Sequence, residues 1–326
     1  MRSARPVGLL LSAAAVVLWA IGMTVLQPLT EPFGPWSERL PGNNAYWARD
    51  LRFAAIVAVA LGLVLAGRGR LRWSGPAVLL GGLWVAADVA IDRADPSGDG
   101  ATVLIAAGGC AVVGALAAVL LWRERGAPPA GPDRPALIAA SCVAGVLTLV
   151  AAGMESPTDR EPELNQAAVA TAALLVALTI GAALAAAPAL ARARFWLAAA
   201  LGVAAAFGVG LIRAVPPGPR LLVELALGAV LLTGVTLLAW DWPGGRPAWR
   251  RHALAGLAAL VGPVPMLVVA AIAMMVLLPI GATFTALAGN SPINAADSDV
   301  LLSLAGLLSG LGMALLLALP TLVDRR

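Results

Sequence analysis

The sequence predicts an all-α fold: a polytopic transmembrane bundle of about ten helices with both termini cytoplasmic. Three observations lead there. The 326-residue chain is 60% hydrophobic and only 12% charged, with a mean hydropathy of +0.88. A soluble domain is about 45–50% apolar and about 25% charged. The apolar residues also fall into blocks of roughly 16 to 28, enough to cross about 30 Å of hydrocarbon at about 1.5 Å per residue. Finally, arginine alternates from one loop to the next.

The blocks are 7–26, 51–66, 73–91, 101–122, 136–154, 167–191, 195–212, 221–240, 253–280 and 300–323. The first follows a basic start, Arg2 and Arg5, but exceeds the about 7–15 residues of a cleaved signal core, so it reads as a retained helix. The second is short for a span, and Arg49 and Arg52 are expected to snorkel outward from its end. The ninth is too long for one upright span. All blocks together read as one membrane domain, 1–326. Its halves meet either near 135, where a Pro- and Gly-rich linker follows the fourth block, or near 154.

All 22 basic residues are arginine. With the N-terminus inside, 15 of them fall on cytoplasmic segments and 7 on the opposite side, while the acids run the other way. The arginine bias of short loops sets orientation, and its alternation along the whole chain supports an even number of spans. The location this implies is the cell membrane, multi-pass. Net charge +4 and pI near 10.3 do not point to nucleic acid, because the arginines sit in short clusters at membrane edges.

Polar residues inside the blocks are the candidates for function. Asp88 and Glu224 are the two intramembrane acids, each about one turn from the outer end. They are expected to face the interior near the outer side, at least one of them within reach of an arginine such as Arg213 or Arg220. They read either as structural interfacial acids or, if the chain transports, as a substrate or coupling site. Gly262-Pro263-Val264-Pro265 should kink or break the ninth helix, since proline donates no hydrogen bond and clashes with the preceding turn. Such a break is either a structural kink or a broken-helix site of the transporter kind. Small residues at helical spacing, Gly306, Gly310 and Ala314 in the last block and Ala198, Gly202, Ala206 and Gly210 in the seventh, suggest close helix contacts. Eight of the ten tryptophans sit at block ends, as in an interfacial belt; Trp19 and Trp84 lie inside and either pack between helices or line a cavity.

No cofactor is expected, and no catalytic or metal site. Cys110 and Cys142 lie in separate apolar blocks, and the single histidine, His252, is read as interfacial beside Arg250 and Arg251. No serine has a histidine within a span to act as base. Trp19, Leu51-Arg52-Phe53 and Arg123-Glu124-Arg125 faintly resemble the drug/metabolite transporter superfamily, over about the first half of the chain. Separately, ten spans with a proline-rich break near the middle fit a five-plus-five inverted arrangement known from transporters; the long first outer loop departs from the superfamily's compact pattern. The reading is a permease for a small solute or lipid-like molecule, in contact with lipid and open to homo-oligomers or other membrane subunits. The alternatives are a non-transporting subunit or scaffold, or an enzyme on a lipid-linked substrate.

The arginine alternation is tested by single cysteines at Asp95 and Arg123, probed with a membrane-impermeant thiol reagent. They should label from opposite sides of sealed vesicles, and labelling from the same side would overturn the topology.

Overall fold

The computed structural model describes residues 4–30, 45–125, 131–154, 162–189, 191–276, 278, 280–289 and 300–323. Most of the three outer loops and the middle of the linker after the fourth block lie outside these residues. The described chain is helical, without strands: α1 Ala4–Ile21, α2 Ala45–Ala66, α3 Leu71–Asp92, α4 Asp99–Arg123, α5 Arg134–Gly153, α6 Pro162–Ala186, α7 Arg192–Ala214, α8 Pro217–Ala239, α9 Trp249–Val261, α10 Pro263–Val276, α11 Ile280–Ala288 and α12 Leu301–Val323. Among the described residues, nine helical stretches are long and apolar enough to cross a membrane, α9 and α10 counting as one. These make the chain a membrane-embedded protein by composition. α2 is equally long, at 22 residues, but opens on Arg49, Asp50 and Arg52 and falls outside that count.

Successive long helices run in opposite senses. The end of the bundle where α1 starts is called the near end, and the other the far end. α2, α5 and α6 form the centre, where Leu63, Leu147, Leu175 and Leu178 are at most 1% exposed. α3, α4 and α9–α10 are peripheral, with most of their surface outward. Tight turns keep the near end compact. Gly69 has φ +73°, and a Cβ there would lie 2.4 Å from the carbonyl oxygen of Asp133, so only glycine fits. Asp133 in turn caps α5 by accepting from the Ala136 N–H.

The first eight long helices, α1 to α8, repeat one four-helix pattern. Arg5-Pro6 begins α1 and Arg134-Pro135 begins α5. Seven residues further on, Ser12 donates to the Val59 carbonyl of α2 at 3.0 Å, and Ser141 donates to the Thr179 carbonyl of α6 at 2.6 Å. α1 packs chiefly on α2 as α5 does on α6, and α4 returns to α1 as α8 returns to α5. Arg5 reaches Glu124 just past α4 at 2.6 Å, and Arg134 reaches Asp241 just past α8 at 3.2 Å. Each unit starts at the near end, so the two copies are parallel, unlike an inverted pair. α9–α10 and α12 lie against the second copy.

Several sequence expectations change. α2 starts six residues earlier than the apolar block because Ala45 to Asp50 continue the helix. Arg49 and Arg52 turn inward, 4% and 2% exposed, instead of snorkelling. His252, in the first turn of α9, is 2% exposed and bonded to Thr236, so it packs inward beside the exposed Arg250. Trp73, expected at the interface, is fully buried, whereas Trp122, Trp196 and Trp249 are more than 60% exposed at helix ends. The outer segment after the ninth block contains the apolar helix α11. In α7 the buried line is Ala198, Leu201, Ala205 and Val209, while Ala206 and Gly210 face outward.

The helical stretch of the ninth block loses its bonding ladder just after Gly262, which itself still donates to the Ala258 carbonyl at 2.7 Å. Pro263 and Pro265 cannot donate to the carbonyls of Ala259 and Val261, and regular bonding resumes with Met266 N–H to the Gly262 carbonyl at 3.2 Å. Gly262 keeps helical angles, φ −72° and ψ −47°. The interruption separates two allegiances, for α9 packs mainly on α8 and α10 mainly on α12. On α12, Gly306 and Gly310 face α5: a Cβ at Gly310 would lie 2.5 Å from the Val143 Cα. Gly310→Ala should therefore destabilise the protein by about 1–3 kcal/mol through overpacking. Gly210→Ala, with nothing within 4 Å of its Cβ, should be neutral or slightly stabilising. Thermal unfolding of the two variants in one detergent checks this.

Candidate functional site

At the far end of the first four-helix unit, α2 and α3 carry charges at matching intervals, Arg49 and Arg52 on one, Asp88 and Asp92 on the other. Spacings of three and four place each pair on one helix face. Arg52 lies 2.9 Å from Asp88 and 2.9 Å from Asp92, and Arg49 lies 3.4 Å from Asp92. The second Asp88 oxygen accepts from the Trp19 indole N–H at 2.7 Å, and Trp19 meets Trp84 edge-on at 5.2 Å. Gln27 accepts a weaker bond from Arg52 at 3.3 Å.

α1 is shaped around this cluster. After Ile21 it widens into a π-helical stretch, Gly22–Leu26, followed by a helical turn, Gln27–Thr30. A Cβ at Gly22 would lie 2.5 Å from the Arg52 Cγ, so the widened turn and its glycine make room for the arginine stem. Asp50, on the same stretch of α2, accepts from the Ser303 N–H at 2.7 Å and ties down the start of α12.

The second unit places its polar groups differently. Arg213 at the end of α7 donates to the carbonyls of Ala152 and Met154 and to Asn165. Arg220 in α8 donates to the carbonyls of Gly153 and Val215. Two cations thus satisfy the open carbonyl end of α5, where the helix dipole favours positive charge. The expected pairing of Asp88 with Arg213 or Arg220 is replaced by pairing with Arg52, and the four candidates separate into two places at the far end.

Glu224 accepts no hydrogen bond among the described residues. Its Oε1 rests against Gly153, where a Cβ would be only 2.6 Å away. The carboxylate lines a cavity of about 210 Å³ with Trp47, Met154, Leu302 and Pro263. Glu224 and the interrupted helix, separate candidates in the sequence, therefore meet in one cavity, although Gly262 and Pro265 do not line it. Asp88 has both oxygens engaged inside the protein, so it is a structural acid; Glu224 is the acid that faces open space.

Arg52, Asp92 and Trp19 were missed as partners of Asp88. The matched Arg49/Arg52 and Asp88/Asp92 intervals on consecutive helices were the available signal. No group of three or more metal-ligating side chains occurs among the described residues. No family model, curated protein or solved structure matches the chain.

Removing one member of a buried ion pair leaves its partner charged and unpaired, at a cost of about 3–5 kcal/mol. Arg52→Leu should therefore destabilise strongly, and adding Asp88→Leu, which leaves Asp92 with Arg49, should recover part of the loss. Glu224→Gln, which breaks no bond, should stay within about 0.5 kcal/mol. Unfolding midpoints of the purified variants decide between these outcomes.

Proposed function

We propose that the protein is a multi-pass permease of the cell membrane, with ten spans and its near end in the cytoplasm, moving a small solute or lipid-like molecule. One observation carries the reading. The seam between the second four-helix unit and the last two spans holds a cavity at each end: the far one, about 210 Å³, beside Glu224, and a near one of about 790 Å³ beside Arg134 and Asp241. Between them the seam is closed by Gly310 on Val143 and by Met313 under Gly262. A path occluded at mid-depth, flanked by an interrupted helix, is the arrangement alternating access requires.

The orientation is supported by where the arginines go. Of the described far-end arginines, Arg49, Arg52, Arg213 and Arg220 bond inside the protein, leaving Arg93 exposed. The near end presents Arg72, Arg123, Arg125, Arg192 and Arg250 outward, as positive-inside placement demands.

A specific observation favours the rival reading, a non-transporting subunit. Apart from a near-end cavity of about 370 Å³ among α1, α2, α6 and α7, the boundary between the two four-helix units is packed, with Leu63, Leu175 and Leu178 buried. The enzyme reading has less support, because Asp88 and Asp92 are taken up by Arg49 and Arg52, and Arg213 and Arg220 by Asn165 and backbone carbonyls. Among the described residues, Glu224 has no second charged side chain beside it in the far cavity.

The two leading readings part at the middle of the seam. Val143→Cys, with Cys110→Ala and Cys142→Ala, should be labelled slowly by an impermeant maleimide from either side of sealed vesicles if the seam opens both ways. Protection from both sides, in a variant that unfolds like the parent, would support the scaffold and sink the permease.

A further inference from the structure

We infer that the near-end cavity seats an anionic phospholipid of the surrounding leaflet. The inference rests on this cavity alone and holds whether the lipid is cargo or a wall of the seam. The cavity lies between the start of α5, the end of α8 and the latter half of α12, and its volume is about 790 Å³. That is within the about 300–1,000 Å³ of sites that take small organic ligands. Its walls are apolar, among them Ile138, Ala139 and Ala314. Leu311 and Leu315, 42% and 72% exposed, carry the apolar surface out to the hydrocarbon side of the bundle. An acyl chain can lie along this wall without leaving the bilayer.

The rim has the opposite character. Arg134 is held by three acceptors, the Ala186 and Ala239 carbonyls at 3.0 and 2.9 Å and Asp241 at 3.2 Å, so its charge is fixed in place. Its one acidic partner, Asp241, is 69% exposed and screened by water. Arg251 lies over the Trp240 ring, 5.7 Å from its centroid. Among the described residues, Arg134 and Arg251 against Asp241 leave this rim positive. The start of α9 adds the positive end of its dipole, with no acid in its first turn and no side-chain cap.

The two halves of the cavity call for one amphiphile. A soluble anion has no use for the apolar walls, and a hydrocarbon has none for the arginines. A zwitterionic headgroup would gain little from net positive charge, whereas a phosphodiester without a balancing ammonium would gain most. Basic pockets between spans on the cytoplasmic side recognise lipid headgroups in this way. Trp249, 68% exposed at the same level, marks the depth of the headgroups.

The test uses delipidated full-length protein in detergent, titrated with dioleoyl-phosphatidylglycerol, with dioleoyl-phosphatidylcholine and with inorganic phosphate, followed by thermal unfolding and native mass spectrometry. Phosphatidylglycerol should raise the midpoint by several degrees and remain bound as a single adduct; phosphatidylcholine and phosphate should do neither. Arg251→Gln should weaken the phosphatidylglycerol effect about fivefold, the factor one interfacial basic residue contributes. Ala139→Trp, which fills the wall, should abolish it. Equal effects of the two lipids, the same shift from phosphate, or a phosphatidylglycerol effect unchanged in both variants would overturn the inference. None of these outcomes depends on the maleimide labelling of the seam, so the two readings fail separately.

Discussion

In hydrocarbon, a charge or open backbone group is tolerable only if the protein itself supplies its partner. The arrangement of this bundle follows from that constraint. Arg52 holds Asp88 and Asp92 together and draws the far ends of α1, α2 and α3 inward around it. Arg213 and Arg220 do the corresponding work in the second unit, with carbonyls of α5 in place of carboxylates. At the near end Glu124 gathers Arg5, Arg70 and the Trp73 indole, while Asp241 and the carbonyls closing α8 gather Arg134 and Arg194. Between these closures the helices need only pack, and the core is accordingly alanine, leucine and valine.

The two four-helix units share this plan while differing in chemistry. Both begin with Arg-Pro, both cross-bond by a serine about two turns in, and both close an arginine on an acid beyond the fourth helix. At the far end the polarity is exchanged: arginines begin α2 and acids end α3, whereas Asn165 begins α6 and Arg213 ends α7. The first unit keeps its polar groups saturated. The second leaves Glu224 facing space, on the side where α10 and α12 were added.

Much of the fold was legible because apolar length and arginine placement report directly on solvent. The contact of Gly306 and Gly310 with α5 was legible too, since small residues at intervals of four allow close backbone approach. The same spacing failed in α7, where Gly210 meets nothing; small residues are so frequent here that their spacing alone does not prove contact. Arg49 and Arg52 were misread because depth was judged from the edge of the apolar block, while the helix begins at Ala45. The inward packing of His252 was hidden by its neighbours Arg250 and Arg251. Its own face, shared with Ala255 and Ala259 at intervals of three and four, is the buried one. The Glu224–Pro263 cavity lay beyond sequence reasoning, since it depends on how three distant helices meet.

The interrupted ninth span explains why motion, if it occurs, belongs to the seam and not to the boundary between the units. Separating the units would expose fully buried leucines and strand the cross-boundary contacts of α1 with α6 and α2 with α5. The seam asks less. α9 is committed to α8 and α10 to α12, and the bond ladder joining them is already absent just after Gly262. Because the two prolines have removed their donors, a change of angle there breaks no further hydrogen bond between the halves. α10 and α12 can therefore shift together against α5 while α9 stays on α8. The contacts that must slide are those of Gly306 and Gly310 with α5, where small residues leave a smooth face. The least costly opening of this molecule thus begins at the cavity that Glu224 lines.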